Sequence, residues 1–207
     1  MDADLRWLEA VSGIIPRQAP VALDANQAYD LHDALRFAEA AQNIIDIAWF
    51  EEPVYGYNLW EYADLTRRLS IRVAGAESID ILGVKKAITS RAMTIINPDL
   101  VGHGGIFEFR RYAALCDYYG VTFIPHLFDG QLIRIATLHF LATQPNWKSW
   151  QGPFLATPLE CDVSPNPLRD ELLLQPIRPN DEGLISVPLG PGLGIEVNTD
   201  LIEQYAV

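Results

Sequence analysis

Apolar residues recur along the chain in two alternating rhythms. Residues 2–12 place Leu5, Leu8 and Val11 on one face at helical spacing, which predicts an opening amphipathic helix that Pro16 and Pro20 stop. Val21-Ala-Leu-Asp-Ala-Asn26 is a short apolar run ending in polar residues, and the alanine-rich stretch from Asp30 to Gln42 has helical periodicity. This strand-then-helix pair repeats. Ile47 to Pro53 precedes a helix near Leu59 to Arg68, and Ile71 to Glu77 precedes one near Ile81 to Ser90. Thr94 to Leu100 leads into a helix near Phe107 to Tyr119, and Val121 to Leu127 into one near Gln131 to Thr143. A sixth strand is expected between Phe154 and Cys161, making about six strand–helix modules.

Nearly continuous apolar strands alternating with helices predict a parallel sheet covered on both faces, an α/β fold. Asp24, Glu51, Glu77, Asp99 and His126 each end a predicted strand, at successive spacings of 27, 26, 22 and 27 residues. A doubly wound sheet gathers its functional groups at one switch point, whereas a β/α barrel collects them from many strand ends around one mouth. The repeat therefore predicts part of a TIM (β/α) barrel over residues 1–183, followed by a tail over 184–207 in which Pro188 to Gly194 reads as turns.

Composition narrows the function classes. A chain of 207 residues that is 49% hydrophobic and 20% charged can bury a large core. Its formal charge of −12 excludes a broad phosphate-binding surface, so no nucleic-acid partner is expected. Cys116 and Cys161 give no disulfide framework, and the polar start Met-Asp-Ala-Asp is unlike a secretory signal. With no apolar run long enough to span a bilayer, no membrane partner is expected either, and a soluble cytoplasmic protein is the default.

The strand-end residues carry the candidate chemistry. Any single acid at a strand end is more often a solvated loop residue or a helix cap, but three in register weaken that reading. Asp24, Glu51 and Glu77 on neighbouring strand ends would repel one another unless a cation lay between them. Hard oxygen ligands with no histidine or thiolate among them suit Mg²⁺. Asn26 lies two residues past Asp24 on the same side of the strand and is a candidate to bond a metal ligand or the substrate. Asp99 beside His126 would orient the imidazole and raise its basicity, which is how a general base is made.

Together, Asp24-x-Asn26, Phe50-Glu-Glu-Pro53, Ala74-Gly-Ala-Glu-Ser78, Pro98-Asp99 with Gly104-Gly105, Pro125-His126 and Pro191-Gly-Leu-Gly194 resemble the barrel half of the enolase superfamily, mandelate racemase branch, over roughly Val21 to Tyr205. The resemblance implies Asp24, Glu51 and Glu77 as metal ligands, Glu51 in preference to Glu52, with His126 as base and Asp99 as its partner. The lysine expected near the Asp99 strand of muconate-lactonizing relatives is absent from Asn97-Pro-Asp-Leu-Val101.

The implied activity is Mg²⁺-dependent removal of the proton α to a carboxylate. Dehydration of a hydroxy or sugar acid to a 2-keto-3-deoxy acid comes first, with a racemase or epimerase, or a catalytically silent fragment, as alternatives. A late-barrel hydrogen-bond donor to the enediolate is expected at either Gln151 or Glu160. His103, in the turn before Gly104, is a candidate substrate contact. His139 reads as a core or interface residue and His32 as surface. The capping domain and first two barrel strands of the family are not recognisable, so the chain is expected to be a fragment or to be completed by another chain. Relatives suggest a homo-oligomer.

Overall fold

The computed structural model describes residues 1–16, 19–128, 130–144 and 158–206. Helix α1 (Asp2–Ser12) opens the chain, and five strand–helix pairs follow in register with the predicted pattern. They are β1 (Val21–Asp24) with α2 (Leu31–Ala41), β2 (Ile47–Glu51) with α3 (Leu59–Arg68), and β3 (Arg72–Gly75) with α4 (Ile81–Thr89). Then come β4 (Ile95–Ile96) with α5 (Gly105–Tyr119) and β5 (Thr122–Phe123) with α6 (Gln131–Ala142).

Every strand pairs in parallel with the one before it, in the order β1-β2-β3-β4-β5. The order never reverses. Right-handed crossovers that all step the same way put every helix on one face of the sheet, which is how a barrel is built and a doubly wound sheet is not. The fold is thus an arc of an α/β barrel, with all strand C-termini along one rim.

The two faces of the arc differ accordingly. Phe50, Val73, Ile96 and Phe123 face the helices and join Phe37, Tyr62, Leu65, Val84, Phe109 and Phe140 in the main core. On the concave face, Ala74, Ile95 and Ile124 form a second, smaller cluster against Trp49. Side chains alternate across a strand, so Glu51 follows Trp49 on the concave face while Phe50 lies in the helix-facing core.

The late strands are shorter than the sequence predicts, and the reason is proline. Pro98 and Pro125 have no N–H to give the ladder. Before them Ile124 N still donates to Ile96 O at 3.0 Å, and pairing resumes past them, where His126 N donates to Pro98 O at 3.1 Å and Asp99 bridges His126. The sixth strand is not seen among the described residues: 158–163 carry none, and 145–157 lie outside them.

Beyond α7 (Pro167–Asp170), Leu173 bridges Val197 in antiparallel sense and α8 (Thr199–Tyr205) follows. Among the described residues no helix is long and apolar enough to cross a membrane.

Phe50 is 1% exposed, with ring centroids 5.6 Å from Phe37 and 6.3 Å from Tyr29. Phe50→Ala should lower the unfolding free energy by about 3–5 kcal/mol, read from urea denaturation. A loss below about 1 kcal/mol would place the core elsewhere.

Candidate active site

The rim of strand C-termini collects the acids. Asp24 ends β1 and Glu51 ends β2, directly paired in the ladder, and Glu77 follows β3 by two residues. One carboxylate oxygen from each lies within 4.8 Å of the other two. At an effective dielectric of about 20, each fully charged pair at that separation repels by roughly 3–4 kcal/mol, less where solvent screens the exposed Asp24.

Local backbone strain accompanies this convergence. Asn26 (φ 45°) and Gln27 (φ 62°) follow Asp24, Glu52 (φ 36°) follows Glu51, and Ala76 (φ 113°) precedes Glu77. Left-handed non-glycine residues cost of order 1–3 kcal/mol each, and they persist where the surroundings over-determine them. Other acids of the rim have ordinary work: Asp30 caps α2 through Asp33 N, and Asp80 caps α4 through Gly83 N, both at 2.8 Å.

Hydrogen bonds hold each acid of the cluster. Asn26 donates to both Asp24 oxygens, from its backbone N at 2.8 Å and from Nδ2 at 2.7 Å. Glu51 accepts from Trp49 Nε1 at 2.7 Å and from Asn97 Nδ2 on its other oxygen. Burial pushes Glu51 up to about 7 against the pull of Trp49, helped by the charges of Asp24, Glu160 and Glu77. Burial likewise raises Glu77 to about 7 although the facing His126 opposes it. Oxygen donors only, clustered and short of positive charge, are the donor set that fits a divalent hard cation.

His126 stands across from this group. Its Nδ1 is 3.3 Å from Asp99 Oδ2 and its Nε2 is 3.7 Å from Glu77 Oε2. Asp99 is itself fixed, because Gly102 N donates to its Oδ1 at 2.6 Å. Burial alone would lower the imidazole, but the Asp99 hydrogen bond and the charges of Glu77 and Glu160 override it and hold His126 up to about 9. Glu160 reaches the same rim, its Oε2 accepting from Leu127 N at 2.7 Å.

One expected substrate contact turns inward. His103 does not face the mouth: it is buried at 9% exposure, its Nδ1 lies 2.7 Å from Asp99 O and its Nε2 2.8 Å from Ile79 O. With both ring nitrogens turned to backbone carbonyls, it ties the loops after β3 and β4 together and has no polar edge for a substrate. Asn26 donates to Asp24, an expected metal ligand, which is one of the two roles expected of it.

Gln151 lies outside the described residues. His139 bonds Leu193 O at 3.0 Å, tying α6 to the tail, and the His32 side chain is 79% exposed. Sequence reasoning missed Trp49, Asn97 and Gln27. Trp49, two residues before Glu51 on one strand, was the most accessible of these, because it shares the face of Glu51.

A barrel rim with three acids on successive strand ends facing a His–Asp pair defines a class, and comparison with known proteins agrees. Residues 1–201 match the family described as enolase C-terminal domain-like, and the chain belongs to that family of the enolase superfamily. It is 32% identical over 210 residues to D-galactarolactone cycloisomerase of Agrobacterium fabrum, covering 99% of this chain and 54% of that protein. It is 28% identical over 214 residues to arabinonate dehydratase of Saccharolobus solfataricus, covering 99% and 52%.

Among solved structures, 3,6-anhydro-D-galactonate cycloisomerase of Zobellia galactanivorans superposes with TM-score 0.88 at 31% identity, over 99% of this chain and 55% of that one. A mandelate racemase/muconate lactonizing protein of Paracoccus denitrificans complexed with magnesium gives 0.81 at 29%, over 97% and 52%. The chain thus spans about half the length of the relatives it matches.

The acid cluster makes folding of the ion-free chain pH-dependent with a definite sign. Glu51 and Glu77, ordinarily at 4.5, are raised, so their protonated forms favour the fold. Their contribution is full below 4.5 and lost as pH rises through about 7. That of His126 is full below 6.5 and lost through about 9, in the same direction. In EDTA the melting temperature should fall steadily from pH 5 to pH 8, and the increment from added Mg²⁺ should be larger at pH 8 than at pH 6. An Mg²⁺ increment independent of pH, measured by differential scanning fluorimetry, would contradict this.

Proposed function

We propose that this chain supplies the catalytic barrel face of a cytoplasmic, Mg²⁺-dependent enzyme. It takes the proton α to the carboxylate of a hydroxy or sugar acid and expels the β-hydroxyl, giving a 2-keto-3-deoxy acid. The observation that carries the reading is the position of His126 Nε2, 3.7 Å from Glu77 Oε2, while Nδ1 is engaged by Asp99. A base held that close to the acid cluster can reach a carbon whose carboxylate sits at the cluster.

Asp24, Glu51 and Glu77 would hold Mg²⁺, which supplies positive charge against the negative charge that develops on the substrate carboxylate. His126 Nε2 accepts the α-proton, and the C–H electron pair moves into the carboxylate to give an enediolate. Asp99 keeps Nδ1 protonated and the ring aimed. As the enediolate collapses, the bond from the β-carbon to its oxygen breaks, and the proton on Nε2 leaves with that oxygen as water. The enol then tautomerises to the ketone. Glu160, with Gln151 as the other candidate, is the proposed hydrogen-bond donor to the enediolate.

The similarity to two cycloisomerases favours a second reading. If the departing oxygen belongs to a ring, the same elimination opens the ring and conserves mass, whereas dehydration loses one water. Mass spectrometry of the product separates the two.

His126 must be neutral to act as base, so turnover rises with pH through its folded value. A cation among the acids cancels the Glu77 charge that helps raise it, so the ascending limb should fall below about 9 in Mg²⁺. The chain with Mg²⁺ should exchange the α-proton of a matching sugar acid with D₂O, followed by proton NMR across a panel of acids. His126→Asn should slow that exchange by roughly 10²–10⁴-fold. Undiminished exchange in His126→Asn would remove it as the base.

A further inference from the structure

The three acids of the cluster lie where β1, β2 and β3 pass into three separate loops, and one side chain of the first loop contacts the other two. Gln27, in the loop after β1 that begins at Asp24, donates from its backbone N to Glu52 O at 2.7 Å. Its Nε2 donates to Glu52 Oε2 at 2.5 Å and lies 3.4 Å from Ser78 Oγ, while its Oε1 accepts from Gly56 N at 3.1 Å. Glu52 adjoins Glu51 and Ser78 adjoins Glu77, so these contacts fall one residue from two of the acids. Tyr57 Oη adds a tie from the second loop to the third, donating to Ser78 O at 2.8 Å.

Glu52 is the anchor of this arrangement. It is 1% exposed, and its Oε1 is buried without a hydrogen-bond partner among the described residues. A buried acid costs free energy unless it is hydrogen-bonded, and Gln27 Nε2 donates to this carboxylate. Both partners also adopt left-handed backbone conformations.

We propose that Gln27, with Glu52 as its buried anchor, is a positioning residue. It sets the spacing of Asp24, Glu51 and Glu77 and through that spacing the affinity for a divalent ion. The inference rests on the reading of those three acids as a metal site. Partners of this kind, which touch the supports of the ligands and not the ion, typically change metal affinity by roughly 10–100-fold when removed.

The test uses Mn²⁺ as the probe, with free ion measured by electron paramagnetic resonance on the full chain at pH 8. Gln27→Leu removes every side-chain hydrogen bond at similar volume. It should weaken Mn²⁺ binding by about 10–100-fold while helical circular dichroism is retained in EDTA.

The exchange variant Gln27→Glu with Glu52→Gln reverses donor and acceptor across the same contact. It should recover affinity to within a few-fold of the unaltered chain, which loss of packing alone would not predict. Unchanged affinity in Gln27→Leu overturns the proposal. So does failure of the folded exchange variant to recover, and that variant decides the matter if Gln27→Leu does not fold. An unaltered chain that binds no Mn²⁺ removes the metal-site reading and this proposal with it, an outcome distinct from a chain that binds equally well with and without Gln27.

Discussion

Mutual repulsion among Asp24, Glu51 and Glu77 is the constraint around which the rim is organised. Three carboxylates brought within 4.8 Å of one another oppose folding unless something positive stands among them. The strand ladder still brings them together, because Asp24 and Glu51 are paired partners and the parallel arc lines up every strand C-terminus on one edge. The strained backbone at Asn26, Gln27, Glu52 and Ala76 is concentrated at the same places. Repulsion and strain in one spot mark a site held in a conformation that the chain would not choose for stability alone.

The facing histidine shares the same field. Asp99 gives one oxygen to the Gly102 amide and the other to His126, so the ring has one nitrogen engaged and one directed at the acids. The pull of the His126 hydrogen bond and of the Gly102 amide on Asp99 outweighs its burial and keeps that carboxyl below its ordinary value. An anionic Asp99 and a polarised imidazole are consequently one unit, and the charge at Glu77 couples that unit to the cluster. Changes in the acid cluster are therefore felt at the base.

Much of this was legible in the sequence for a specific reason. Acids and a histidine that interrupt apolar runs once per module are visible in one dimension, and the barrel follows from their regular spacing. Choosing Glu51 over Glu52 agrees with strand alternation, since Phe50 lies in the helix-facing core. What remained hidden depends on contacts between loops. His103 sits among glycines in a rim loop and looks exposed, yet its ring turns inward to two carbonyls. Asn97 and Gln27 belong to no periodic pattern, and their partners lie 46 and 25 residues away. The proline-interrupted ends of β4 and β5 made those strands look longer than the ladder allows.

Everything at the rim turns on whether a divalent ion sits among the three acids. An anomalous difference map from crystals of this chain soaked in Mn²⁺ tests it most directly. One strong peak should appear, bonded to an oxygen of each of Asp24, Glu51 and Glu77, with an Mg²⁺ counterpart at about 2.0–2.1 Å from those atoms. A peak elsewhere on the molecule, or none at saturating ion, with the three carboxylates turned apart, would contradict it.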